Sequence, residues 1–120
     1  MTADDLLVRY LTAWNTTDAA ERRTALQQLF TSDVRYTDPM ADVEGHDGID
    51  ATIAAVQARF PGFVFRPLGR HEAHHRQVRF GWEFGPEGQE APIAGSDVAV
   101  LDDGRIRAVF GFLDRVPAST

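Results

Sequence analysis

The chain of 120 residues contains no cysteine and no lysine. Without thiols there is no disulfide, no thiolate nucleophile and no cysteine-ligated metal or iron–sulfur cluster. Without lysine there is no Schiff base. All twelve cations are arginines, and eighteen acidic residues outnumber them, for a net charge of −6. Nucleic acid or an anionic membrane surface would need a basic patch, so neither partner is expected. No apolar run approaches the ~20 residues that cross a bilayer. In the segment Met1 to Leu7, Asp4 and Asp5 stand where a signal peptide carries positive charge. A cytoplasmic location is therefore expected. A Gly-rich phosphate loop is missing too, as is any compact set of histidines and carboxylates. No cofactor and no metal is implied.

What remains is the composition of an ordinary soluble protein, with 43% hydrophobic and 25% charged residues. The length fits one domain, residues 1–120, around one core. The first half reads as helical. Leu6, Leu7, Tyr10, Leu11 and Trp14 recur on one helical face. Thr2 can cap that helix, with Asp5 in its first turn. Asn15-Thr16-Thr17 breaks it, and Asp18 with Glu21 resembles a capping box for a second helix carrying Ala25, Leu26, Leu29 and Phe30. Thr31-Ser32-Asp33 should end that helix. Val34 to Thr37 is a short extended piece closed by Asp38-Pro39, since a residue before proline avoids the helical region. A loop runs on to Gly45. A third helix starts near Asp47, with Asp50 in its first turn and Ile49, Ile53, Val56 and Phe60 at helical spacing. Pro61-Gly62 stops it.

The second half reads as strands. Phe63 to about His74 is extended, with a bend or an edge at Pro67 and Gly69. Val78, Phe80, Trp82 and Phe84 alternate with polar or small residues. After a polar loop, Ile93 to Leu101 and Arg105 to Leu113 flank the hairpin signal Asp102-Asp103-Gly104. The expected class is α+β: three helices packed on a curved, mainly antiparallel sheet around one apolar cavity.

Several strings carry a family resemblance over nearly the whole chain. They are Tyr10-Leu11-Thr12-Ala13-Trp14-Asn15 with Asp18, Leu29-Phe30-Thr31-Ser32-Asp33-Val34, Tyr36-Thr37-Asp38-Pro39, and Asp97 to Ile106. These resemble the nuclear transport factor 2-like, or SnoaL-like, superfamily, with its cone-shaped cystatin-like roll. The superfamily holds isomerases, polyketide cyclases, epoxide hydrolases, dehydratases and non-catalytic binding modules, so fold alone does not choose among them. Within it, Tyr10, Asp38 and Asp97 match the places of the ketosteroid isomerase tyrosine, base and late-strand aspartate. That enzyme is the standard example of a carboxylic acid kept neutral to donate a hydrogen bond.

The resemblance implies Asp38 as general base, with Tyr10 and Asp97 as hydrogen-bond donors to an enolate oxygen. Each has a plainer alternative. Asp38 is also a turn aspartate ahead of Pro39. Tyr10 also suits the core. Asp97 precedes an apolar run, where a carboxyl needs a partner or neutralisation, and its alternative is a solvated edge. Trp14, Tyr36, Met40, Phe60, Phe65, Phe80, Trp82, Phe84, Phe110 and Phe112 are candidate pocket walls for a small hydrophobic ligand, or simply core. His71, His74 and His75 cannot chelate a metal from one strand, where residues four apart lie ~13 Å distant. They read, like His46, as polar surface.

Two functions lead, and a third, an epoxide hydrolase, would need an Arg between paired carboxylates that the sequence does not place. One is a cofactor-independent isomerase or cyclase acting on a hydrophobic carbonyl compound. The other is a non-catalytic ligand-binding or dimerisation module of the same fold. A homodimer is expected in either case, because Val98, Val100, Val109 and Gly111 would need cover on both sheet faces.

Overall fold

The computed structural model describes residues 2–117. Helix α1 (Ala3–Asn15) opens on a full capping box: the Thr2 hydroxyl accepts from the Asp5 N–H, and the Asp5 carboxylate accepts from the Thr2 N–H. Its buried face carries Leu6, Leu7, Tyr10, Leu11 and Trp14. Helix α2 (Ala19–Leu29) is capped by Asp18, which accepts from the Glu21 N–H. Helix α3 (Gly45–Arg59) starts two residues before Asp47, without a side-chain cap. Gly45 makes that early start possible, since its φ of 78° suits glycine. Asp47 rather than Asp50 therefore occupies the first turn.

Asp50 has another task. It accepts at 2.6 Å from Arg22, a guanidinium only 5% exposed that also donates to Gln57 Oε1 and the Thr16 carbonyl. Gln57 in turn donates to the Trp14 and Thr16 carbonyls. This network ties the end of α1 to α2 and α3, and satisfies carbonyls that a helix end leaves free.

Six strands form one sheet in the order β2-β1-β6-β5-β4-β3. They are β1 (Phe30–Thr37), β2 (Asp42–Glu44), β3 (Phe63–His74), β4 (Gln77–Pro86), β5 (Ile93–Asp102) and β6 (Arg105–Arg115). Every pairing is antiparallel except β1 with β6, so the sheet is mixed, curved and unclosed. Strand β1 begins at Phe30, four residues before the sequence pattern suggests. Phe30 pairs with Ile106, and that tertiary pairing takes Thr31-Ser32-Asp33 into a bulged strand instead of a turn. Strand β2 replaces part of the expected loop. At the other edge β3 bends where Gly69 has a φ of 72° and the register shifts. The β5–β6 turn places Asp103 and Gly104 at φ 50° and 80°, the double left-handed geometry that a two-residue hairpin needs.

The helices cover one sheet face. Val78 and Phe80 of β4, Ala99 of β5 and Ile106 and Val109 of β6 are buried there with Leu6, Tyr10, Leu26, Leu29, Ile49 and Ile53. Ile49 and Ile53 anchor α3 against β1, with Val56 packed beside them. His46 is less exposed than its sequence context suggests. Its Nε2 lies 3.1 Å from the Phe30 carbonyl. None of the helices among the described residues is long and apolar enough to cross a membrane.

Candidate functional site

Past the packed core, the sheet and helices diverge around a cavity of about 650 Å³ with predominantly apolar walls. Tyr10, Asp38 and Asp97 all line it. So do Trp14, Tyr36, Met40, Phe60, Phe65, Trp82, Phe84 and Phe112. Met40, 79% exposed, sits at the mouth rather than the floor, while Phe112, 60% exposed, borders the cavity from the more open side of β6. Two expected walls lie elsewhere. Phe80 is covered by Tyr10, ring centroids 5.1 Å apart in an edge-on pair, and belongs to the core beneath the cavity. Phe110 faces away: alternation along β6 buries Val109 and Gly111 and leaves Phe110 47% exposed on the outer face.

Asp97 comes from the middle of β5 and is 3% exposed. Tyr10 donates its hydroxyl to Asp97 Oδ2 at 2.7 Å, and the Trp82 indole donates to Oδ1 at 3.1 Å. Burial disfavours the charged carboxylate and pushes its pKa up to about 6. The two donors work the other way, and the charge of Asp38 adds a smaller upward push. Tyr10 is raised well above the usual phenol range, first by burial and then by Asp97. It is a neutral donor at any physiological pH.

Two glycines make this arrangement possible. Gly95 pairs with Trp82 across the β4–β5 ladder. A Cβ at Gly95 would overlap the Trp82 ring and stand 2.5 Å from the Phe112 carbonyl, so only glycine lets the indole lie flat toward Asp97. Gly111 pairs with Asp97 on the other side. A Cβ there would come within 2.9 Å of Asp97 Oδ1 and 3.2 Å of Asp38 Cβ. The absence of a side chain at Gly111 thus leaves room for both aspartates.

Asp38 has a different setting. It follows β1 and heads the turn into β2. Its Oδ1 accepts from the Met40 and Ala41 N–H groups, both at 2.8 Å, and its own N–H reaches the Ala41 carbonyl. Its Oδ2 accepts from the Tyr36 hydroxyl at 2.5 Å. Tyr36 is raised far above the phenol range, first by burial, and is likewise a neutral donor. Three donors therefore hold Asp38, against two for the more deeply buried Asp97.

The sequence pattern does not show the indole donor of Trp82 or the roles of Gly95 and Gly111. The available signal is glycine inside a strand, which marks close approach of another group. Of the histidines, His71 lies 3.0 Å from Asp4 and ties β3 to α1, while His75 sits in the β3–β4 turn at φ 54°. No group of three or more His, Cys, Asp or Glu able to hold a metal occurs among the described residues.

Comparison with known proteins places this geometry in context. Residues 7–109 match the model of the SnoaL-like domain. A candidate isomerase of the SnoaL-like family from Agrobacterium tumefaciens is 37% identical, with a TM-score of 0.89 over 95% of this chain and 99% of that one. A candidate SnoaL-like polyketide cyclase from Jannaschia is 18% identical, TM-score 0.76, over 93% of this chain and 85% of that one. A candidate ketosteroid isomerase from Kribbella flavida is 16% identical, TM-score 0.71, over 98% and 82%. The last two show the shared fold alone. None of the curated proteins matches the chain.

Proposed function

Because the chain belongs to the SnoaL-like domain family, we propose that it is a cofactor-independent acid/base enzyme of isomerase or cyclase type, acting on a hydrophobic carbonyl compound held in the cavity. The observation that carries this reading is the pair Tyr10–Asp97. A carboxylate with a pKa of about 6 stands beside a neutral phenol donor in an apolar cavity. Near neutral pH most of the Asp97 population is ionised, yet basic enough to take a proton from carbon next to a carbonyl.

In the proposed reaction Asp97 removes that α-proton. The C–H electron pair moves into the carbon–carbon bond, and the carbonyl oxygen becomes an enolate oxygen. Protonation frees the Tyr10 hydroxyl from its bond to Asp97, because the carboxylic acid can now donate in its turn. The phenol then serves the enolate oxygen, an interaction worth roughly 3–4 kcal/mol in a dry site. Return of the proton to a different carbon completes an isomerisation. Attack of the enolate carbon on a second carbonyl, whose oxygen takes up the bond pair and then the proton from Asp97, completes a cyclisation.

This reading moves the base from Asp38 to Asp97. Three donors stabilise the Asp38 carboxylate and fit the turn aspartate better than the base. Asp38 supports the site through its charge and through its hold on Tyr36. The test is deuterium exchange at the α-carbon of a bicyclic aromatic ketone such as tetralone, followed by NMR across pH. The reading expects protein-dependent exchange that rises as pH climbs through about 6. Exchange no faster than buffer at every pH would favour the non-catalytic ligand-binding module.

We also propose a homodimer through the outer sheet face. Phe110 stands 47% exposed there beside its β5 partner Val98, with Leu68 40% exposed on β3. Such apolar side chains on an open sheet face need cover.

A further inference from the structure

Among the described residues, the cavity lining contains three charged side chains: Asp38, Asp97 and Arg59. The two carboxylates are engaged within the protein, Asp38 by Tyr36 and two backbone N–H groups, Asp97 by Tyr10 and Trp82. Arg59 differs. Among the described residues its guanidinium has neither an ion pair nor a hydrogen bond; its contact is with the Phe60 ring, 5.6 Å from the centroid. Arg59 ends α3, where the helix dipole favours a cation. The dipole does not account for a guanidinium lying on Phe60, which is itself a cavity wall. That contact keeps the charge near the cavity rim while leaving the guanidinium exposed. Between rim and floor the walls are apolar, with Val56, Phe84 and Ile93 among them.

Hydrogen-bonding capacity is thus left over at the rim, as the five N–H donors of one planar guanidinium. From this we infer that the cavity takes an amphipathic organic acid, its apolar body inside and its carboxylate at the rim against Arg59. The inference rests on the proposed reading of the cavity as a hydrophobic-ligand site and names the class of that ligand. The protein's net charge of −6 repels an anion at long range, so recognition must come from this local contact.

The test uses two matched probes, naphthylacetate and the neutral naphthylacetamide, titrated calorimetrically into the protein. Indole signals of 15N-labelled Trp14 and Trp82, both cavity walls, report whether each probe enters. The expected result is that the acid binds wild type about fivefold to tenfold more tightly than the amide. Arg59→Gln, an exposed change in the last turn of α3, should abolish that difference. Arg59→Lys should retain part of it, since the charge stays but the planar fork is lost. Equal binding of acid and amide to wild type would overturn the inference and leave the cavity reading intact, because both probes shift the indoles. An acid preference that survives Arg59→Gln would also overturn it. Entry of neither probe would overturn both.

Discussion

Tyr10 of α1 and Asp97 of β5, 87 positions apart in the chain, meet at 2.7 Å. Among the described residues the phenol donates to Asp97 alone, and Asp97 has one further donor, Trp82. A carboxylate buried with two donors is under-compensated for the water it has lost, which is why burial outweighs them and its pKa rises to about 6. Its protonation therefore couples to folding as well as to chemistry.

The folded pKa of Asp97 exceeds the ~3.9 of a free Asp. The folded state consequently holds its proton longer than the unfolded state as pH rises. Asp97 contributes full stability below about pH 4, and that contribution is lost as pH rises to about 6. The loss is about 3 kcal/mol at most. In Asp97→Asn, Oδ1 still accepts from Trp82 and the amide can donate to the Tyr10 oxygen. The variant should be as stable as wild type at pH 7 or more so, and its urea midpoint should lack the fall between pH 4 and 6. A parallel fall in both proteins would show that Asp97 is not the group responsible.

Asp38→Asn should behave in the opposite way. The amide keeps the two backbone N–H bonds on its oxygen but loses the charge that strengthens them. A loss of about 1–2 kcal/mol is expected at pH 7, read from urea unfolding. An unchanged midpoint would mean that the turn does not depend on the carboxylate.

Gly95→Ala should cost about 1–3 kcal/mol, because the new methyl group displaces Trp82 and crowds the Phe112 carbonyl. Displacing the indole removes a donor from Asp97, so the Asp97 pKa should climb further above 6. NMR titration of the side-chain carboxyls in the variant checks this. An Asp97 pKa equal to that of wild type would show that the indole bond does not tune the carboxyl.

Much of this architecture is legible in the sequence. Helical periodicity and the caps at Thr2 and Asp18 locate α1 and α2, and alternation at Val78, Phe80, Trp82 and Phe84 locates β4. The misses share a cause. Phe30 looks like the end of a helical stripe but pairs with Ile106 in the only parallel ladder among the described residues, a long-range contact that no local pattern encodes. Gly45 starts α3 early through a left-handed φ. In the site, Tyr10, Asp38 and Asp97 are visible as residue types in suggestive places. What separates Asp97 from Asp38 is the number of donors each meets. That depends on Trp82 lying across Gly95 and on the backbone turn at Met40 and Ala41. The same limit applies to Phe80 and Phe110, whose apolar character alone cannot say which face or layer they occupy.

The outer sheet face bears on assembly. Light scattering at micromolar concentration should give twice the 13.3 kDa chain mass. Phe110→Asp would place a charge beside Val98 and should shift the protein to monomer without unfolding it, since Phe110 is nearly half exposed. A monomeric wild type at that concentration would remove the dimer proposal.

The most direct measurement compares α-carbon deuterium exchange of tetralone in wild type, Asp97→Asn and Asp38→Asn at pH 7, each first shown to be folded by circular dichroism. If Asp97 is the base, Asp97→Asn should reduce protein-dependent exchange at least a hundredfold, within the range that proton-transfer catalysis supplies, while Asp38→Asn should retain most of it. Loss of exchange in Asp38→Asn with retention in Asp97→Asn would contradict the account and return the base to Asp38.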